Sequence, residues 1–182
     1  MKNIFIMLLI LVPITMAAQK KVSKPKVSYS QIVKLARGKN PKSVLKGTGL
    51  QEFCYSYSHK EKYLGCCSYG YNVRSENYFN ALVPLTDDAF GISYSDAGSG
   101  CWEIVFKDEA QLEAYKKDAV KNGYAPLYDQ WQTFSDDGVE KKQLIYIRDA
   151  DEEFCNCIRI VFNGNYYCIR IGLEVNDFSS PQ

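Results

Sequence analysis

Hydrophobic and polar positions divide the chain into two helical stretches and a longer set of strands. Ser28 to Arg37 opens with a capping-box pattern, Ser28 answered by Gln31, and sets Ile32, Leu35 and Ala36 on one side. The spacing predicts a helix that stops before Gly38, after which Asn40-Pro41 starts a second short turn through Val44 and Leu45 to Gly47. Further on, Asp108 with Gln111 caps a stripe of Leu112, Tyr115, Ala119 and Val120 that ends at Gly123. This predicts a helix over about residues 109–122.

Most of the remainder alternates with period two, the mark of half-buried strands. Phe53, Tyr55 and Tyr57 alternate with Cys54, Ser56 and Ser58; Phe90, Ile92 and Tyr94 with Gly91, Ser93 and Ser95; Trp102, Ile104 and Phe106 with Cys101, Glu103 and Val105. The two halves share an order of helical segment, aromatic strand and three further strands, and YNVR at 71–74 falls on IYIR at 145–148. The pattern predicts an α+β protein, an antiparallel sheet with helices on one face. It is expected to be built from two tandem α-β(4)-like units of about 75 residues, 28–107 and 108–182, or to form one continuous domain. Over residues 28–174 this element order resembles the β-lactamase inhibitor proteins, exported binders made of two fused units. The likeness is architectural, carries no motif over, and implies a protein that binds other proteins.

Asn163-Gly164 signals a two-residue hairpin turn, which would set Phe162 opposite Asn165, Ile160 opposite Tyr167, Arg159 opposite Cys168 and Cys157 opposite Arg170. One face then carries Ile158, Ile160, Phe162, Tyr167, Ile169 and Ile171, and the other Cys155, Cys157, Arg159, Cys168 and Arg170. A turn at His59 to Glu61 likewise places Tyr63, Tyr69 and Tyr71 on the aromatic face, sets Cys66 opposite Cys54 and points Cys67 inward. Six of the seven cysteines, Cys54, Cys66, Cys101, Cys155, Cys157 and Cys168, thus share the face turned away from the helices. An even set in an exported chain reads as disulfides. Cys155 and Cys157, about 6.6 Å apart on one face of a strand, would bridge different partners. Cys54 with Cys66 is the favoured pair, and the full connectivity stays open.

Export is read from residues 1–18: Lys2, an apolar run from Ile4 to Ile14, and small residues at Thr15, Ala17 and Ala18, as in a signal peptide. The run is shorter than the roughly 20 residues of a membrane helix, and none follows it, so no transmembrane segment is expected once the leader is removed. The expected location is secreted or periplasmic. Residues 19–27 form a basic linker, and every charged residue from 19 to 46 is Lys or Arg. The formal net charge is only +1, and no aromatic residues interleave the lysines of the arm, so nucleic acid is not an expected partner.

Candidate chemistry is sparse. The chain has one histidine, His59, too few for the usual zinc sets beside Cys155-Asn156-Cys157, and it has no C-x-x-C. Neither a G-x-S-x-G elbow nor a papain-type cysteine context is present. Acidic pairs at Asp87-Asp88 and Asp136-Asp137 and the run Asp149 to Glu153 adjoin predicted turns, and read as solvated loops. The run lacks EF-hand spacing, and Gly98-Ser99-Gly100 precedes a strand rather than a helix. No catalytic residue, cofactor or metal is therefore expected. Fourteen tyrosines stand out, since tyrosine is enriched at binding surfaces. Tyr124, Tyr128 and Trp131, near the 123–138 connection, are the partner-binding candidates. The expected function is that of an exported, non-catalytic protein that binds an extracytoplasmic protein as an inhibitor or immunity factor. The alternatives are a carbohydrate- or envelope-polymer-binding module, marked by exposed coplanar aromatics, and a hydrolase using paired carboxylates.

Overall fold

A computed structural model describes residues 27–60, 63–76, 81–95, 101–136, 138–148 and 157–173. The leader, most of the basic linker, Cys155, Asp137, the acidic run Asp149 to Glu153 and Gly98-Ser99-Gly100 lie outside the described residues. Among the described residues there are three helices, α1 (Tyr29–Ala36), α2 (Pro41–Val44) and α3 (Glu109–Lys121). The strands are β1 (Gln51–Ser58), β2 (Tyr63–Tyr71), β3 (Val73–Glu76), β4 (Ala81–Pro84), β5 (Phe90–Ser95) and β6 (Trp102–Phe106). After α3 come β7 (Ala125–Pro126), β8 (Gln132–Asp136), β9 (Val139–Ile147), β10 (Cys157–Phe162) and β11 (Tyr167–Leu173). The result is an α+β protein dominated by one antiparallel sheet of order β1-β2-β5-β6-β11-β10-β9-β7, with β8 also on β9. Among the described residues no helix is long and apolar enough to cross a membrane.

Capping chemistry sets the helix starts. The Ser28 side chain accepts from the Gln31 amide while the Gln31 side chain accepts from the Ser28 amide, and Asp108 accepts from the Ala110 amide at 2.9 Å. From α1, Tyr29, Ile32 and Leu35 are buried, and from α3, Leu112, Tyr115 and Ala119. They pack on the inner face of the sheet, against Tyr69, Phe90, Ile92, Ile104, Phe106, Ile158, Ile160, Ile169 and Ile171. Val120, expected in the α3 stripe, is 57% exposed. One residue past Ala119 rotates it by about 100° away from the contact line. Val27, assigned to the linker, is fully buried, and its carbonyl accepts from the Tyr115 hydroxyl at 2.6 Å.

The outer face is partly covered. The β3–β4 hairpin lies across it, where Val73 and Leu82 cluster with Ala89 and Val105. Two glycines make room: a Cβ on Gly70 would sit 2.2 Å from Val73 Cγ2, and one on Gly91 2.8 Å from Leu82 Cδ1. The hairpin turn differs from the expected two-residue form. The pairs are Phe162 with Tyr167, Ile160 with Ile169 and Arg159 with Arg170, across a loop of residues 163–166. Asn163 causes this, because its side chain accepts from the Asn165 and Tyr166 amides, both at 3.0 Å, and only Gly164 in the loop takes positive φ. The shift is two residues in the sum of partners, so the division into faces survives it.

Candidate functional site

Pairing across six strands lines up one row on the outer face. Cys54 lies opposite Ser68, Ser68 opposite Ser93, Ser93 opposite Glu103, Glu103 opposite Arg170, and Arg170 opposite Arg159. The parallel row on one side, Gly70, Gly91, Val105, Cys168 and Val161, is apolar and underlies the β3–β4 hairpin. The polar row is therefore built into a packed surface, and Ser68 and Ser93 are buried.

At the arginine end the row opens into a cavity of about 390 Å³. Its floor is Glu103, Arg170 and Arg159; β4 contributes Ala81 and Leu82 to one wall; Phe134, Asp136 and Lys141 of β8 and β9 form the other. Tyr166, Asn163 and Cys168 also line it. Arg170 Nε stands 2.8 Å from Glu103 Oε1, and Lys141 Nζ 2.5 Å from Asp136 Oδ2. Arg159 Nε donates to Gln143 Oε1 at 2.8 Å, and its guanidinium carbon lies 4.8 Å from the Phe134 ring centre.

The electrostatics follow from that placement. Burial, and then Arg170 beside it, hold the Arg159 guanidinium below its ordinary value. Burial acts the same way on Arg170, but Glu103 and the neighbouring thiols outweigh it, leaving Arg170 raised. The hydrogen bond from Lys141 keeps the Asp136 carboxyl below its usual range. Burial pushes the Cys168 thiol up to about 12, so this sulfur stays protonated at neutral pH.

The cysteines are distributed as follows. The Cys54 and Cys66 sulfurs are 2.7 Å apart. The alternation predicts that they are directly opposed, and they are not. Cys54 faces Ser68 and Cys66 faces Ser56, because the β1–β2 ladder carries irregularities at Glu52/Cys54 and Ser56/Tyr57, and the contact is diagonal. Cys67 is buried on the inner face. Cys157, opposite Ile147, and Cys101, beside Trp102, are both buried at the outer face.

Of the three partner-binding candidates, Tyr124 is buried at 2%, edge-on to Tyr29 and with Arg148 over its ring, so it belongs to the core and not to a surface. It directly follows the end of α3, and that return into the sheet buries it. Trp131 is half-buried against Tyr167, and Tyr128 is exposed. None of the three lines the cavity. The alternation places Arg159 and Arg170 on one face; strand order, which the sequence does not show, is what makes them floor a cavity. An aromatic groove of about 260 Å³ lies between α1–α2 and β1, lined by Tyr55, Tyr57 and Tyr94, but Lys42 covers one face of Tyr55 at 4.1 Å. Of the acidic pairs, Asp88 accepts from Asn72 and Thr86 as a turn anchor. No family model, no curated protein and no solved structure matches the chain.

Proposed function

We propose that the chain is an exported, non-catalytic binding protein that takes a protein partner on the outer face of its sheet, at the cavity between β4 and β8. The observation that carries this reading is the cavity itself: a concave, charged floor on a rigid sheet, walled by two hairpins, on the face opposite the helices. The resemblance in element order to inhibitor-type binders points the same way. So does the strand path: the meanders β1-β2-β5-β6 and β8-β9-β10-β11, each preceded by a helix, meet along β6 and β11. That arrangement supports descent from two tandem units, the first carrying β3–β4 as an insertion. The leader-like residues 1–18 support export, and with it a bond between Cys54 and Cys66.

Two features weigh against the alternatives. Glu103 and Asp136 share the cavity, but each is engaged in an ion pair, with Arg170 and with Lys141, where a glycosidase needs two carboxyl groups turned toward a sugar. The aromatic groove lacks an open platform, since Lys42 occupies one face of Tyr55 and His59 packs at 79° to Tyr57. A photo-activated cross-linker placed at Ala81, on the cavity wall, tests the reading against one placed at Val120, on the exposed side of α3. The expected result is a discrete protein adduct in the native extracytoplasmic fraction from position 81 and none from 120. Adducts from 120 alone, or glycan alone, would overturn it.

A further inference from the structure

We infer that the cavity is an oxyanion site, and that its ligand is a carboxylate presented by the partner, a glutamate, an aspartate or a chain end. This rests on the reading above, which supplies the partner. The floor is costly to build. Arg159 and Arg170 are directly opposed on β10 and β11, which brings their Cβ atoms to about 4.5–5.5 Å. Like charges so placed oppose folding, more so when half-buried. Among the described lining residues the cations are Lys141, Arg159 and Arg170 and the carboxylates Glu103 and Asp136. An arriving carboxylate offsets the repulsion between the two guanidinium groups.

The shapes agree with that ligand. A guanidinium is a planar fork whose donors match a carboxylate in two parallel hydrogen bonds. The plane of Arg159 is held by Gln143 at one edge and by Phe134 on one face, so the receptor is set before the ligand arrives. Tyr166 and Asn163, which line the same space, carry no charge to oppose an anion. About 390 Å³ accommodates a carboxylate with its side chain and flanking backbone, at the small end of ligand cavities. Glu103 and Asp136 oppose an incoming anion, and their pairing with Arg170 and Lys141 limits that opposition.

The test titrates the purified chain with a blocked glycine–glutamate–glycine tripeptide, its glutamine counterpart and inorganic phosphate, following the backbone amides of Arg159, Tyr166 and Arg170 by NMR. The glutamate peptide is expected to shift these amides and the glutamine peptide is not. Arg159→Gln should weaken the glutamate peptide by at least about 10-fold, the loss of a charge-assisted pair, and Arg159→Lys by less. Lys117→Gln, which removes an exposed charge on α3, should leave binding unchanged. Asp136→Asn, on the rim, should tighten binding several-fold, and it decides the matter if Arg159→Gln does not fold. Equal binding of the two peptides, unchanged affinity in Arg159→Gln, or no gain in Asp136→Asn would overturn the assignment. A response to phosphate alone would overturn the partner's carboxylate as the ligand. The two proposals fail separately: capture through position 81 that Arg159→Gln does not weaken removes only the anion site, and peptide binding without capture removes only the docking face.

Discussion

A bond between Cys54 and Cys66 is the perturbation whose size follows most directly from the geometry. The sulfurs are 2.7 Å apart, against about 2.05 Å in a disulfide, so little movement separates the thiols from a bridge. They are twelve positions apart in the chain, and loop-closure entropy for a ring of that size gives about 3 kcal/mol of stabilisation. In a chain of this length that corresponds to a melting temperature higher by about 6–12 °C. Cys67, next in sequence, does not compete: it faces the inner core, and burial, then the adjoining Cys54 and Cys66, raise its thiol far above the ordinary range. Trypsin cuts after Lys60 and Lys62, so in the unreduced protein peptides 47–60 and 63–74 should travel as one linked species. The link should persist in Cys67→Ala and vanish in Cys66→Ser, and reductant should lower the melting temperature of the wild type but not of Cys54→Ser/Cys66→Ser beyond what the other cysteines contribute. Protein from an oxidising compartment that yields the two peptides separately, with Cys54 and Cys66 both alkylated without reduction, would refute the reasoning.

Three further outcomes follow from single contacts. Gly70→Ala forces a Cβ against Val73 and should cost about 1–3 kcal/mol by overpacking, read by chemical denaturation, with amides of β3 and β4 exchanging faster than those of β10. Tyr115→Phe leaves the buried Val27 carbonyl without its 2.6 Å donor and should cost about 1–3 kcal/mol, with residues 27 and 28 newly open to proteolysis. Asp136 has a folded value below its unfolded one, so its contribution to stability is complete above the unfolded value of about 3.9 and is lost as pH falls through the folded value. Wild type and Asp136→Asn should therefore converge in stability in strong acid and differ above that range. The difference should be small because the Asp136 carboxylate is half exposed and screened by solvent, and a divergence that grows on acidification would contradict the assignment to Lys141.

How much of this was legible in the sequence depends on the range of the interaction that decides each feature. Caps, helix stripes and the inward set of apolar strand residues are local, and Ser28, Leu112, Tyr115 and Ile160 stand where periodicity places them. The 163–166 loop is also local but was open to two solutions, because Asn-Gly suits a two-residue turn while the Asn163 side chain stabilises the longer one. Tyr124 shows the next limit: it lies just past the end of a helix, and which way it turns depends on partners elsewhere in the chain, Tyr29 and Arg148. The candidate site was least legible. Arg159 and Arg170 could be placed on one face from alternation alone, but three placements of longer range make a cavity of that face. They are the meeting of β6 with β11, the fold of β3–β4 over Gly70 and Gly91, and the return of β8 along β9. A period-two pattern carrying arginines opposite isoleucines would in a one-sided sheet mean a solvated face. The second hairpin layer turns the same residues into a half-buried floor, where two guanidinium groups side by side cost stability. Binding is the reading under which that cost has a use, and Arg159→Gln separates the two cases: a gain in stability with loss of anion binding marks a functional floor, and a gain without it marks only a strained one.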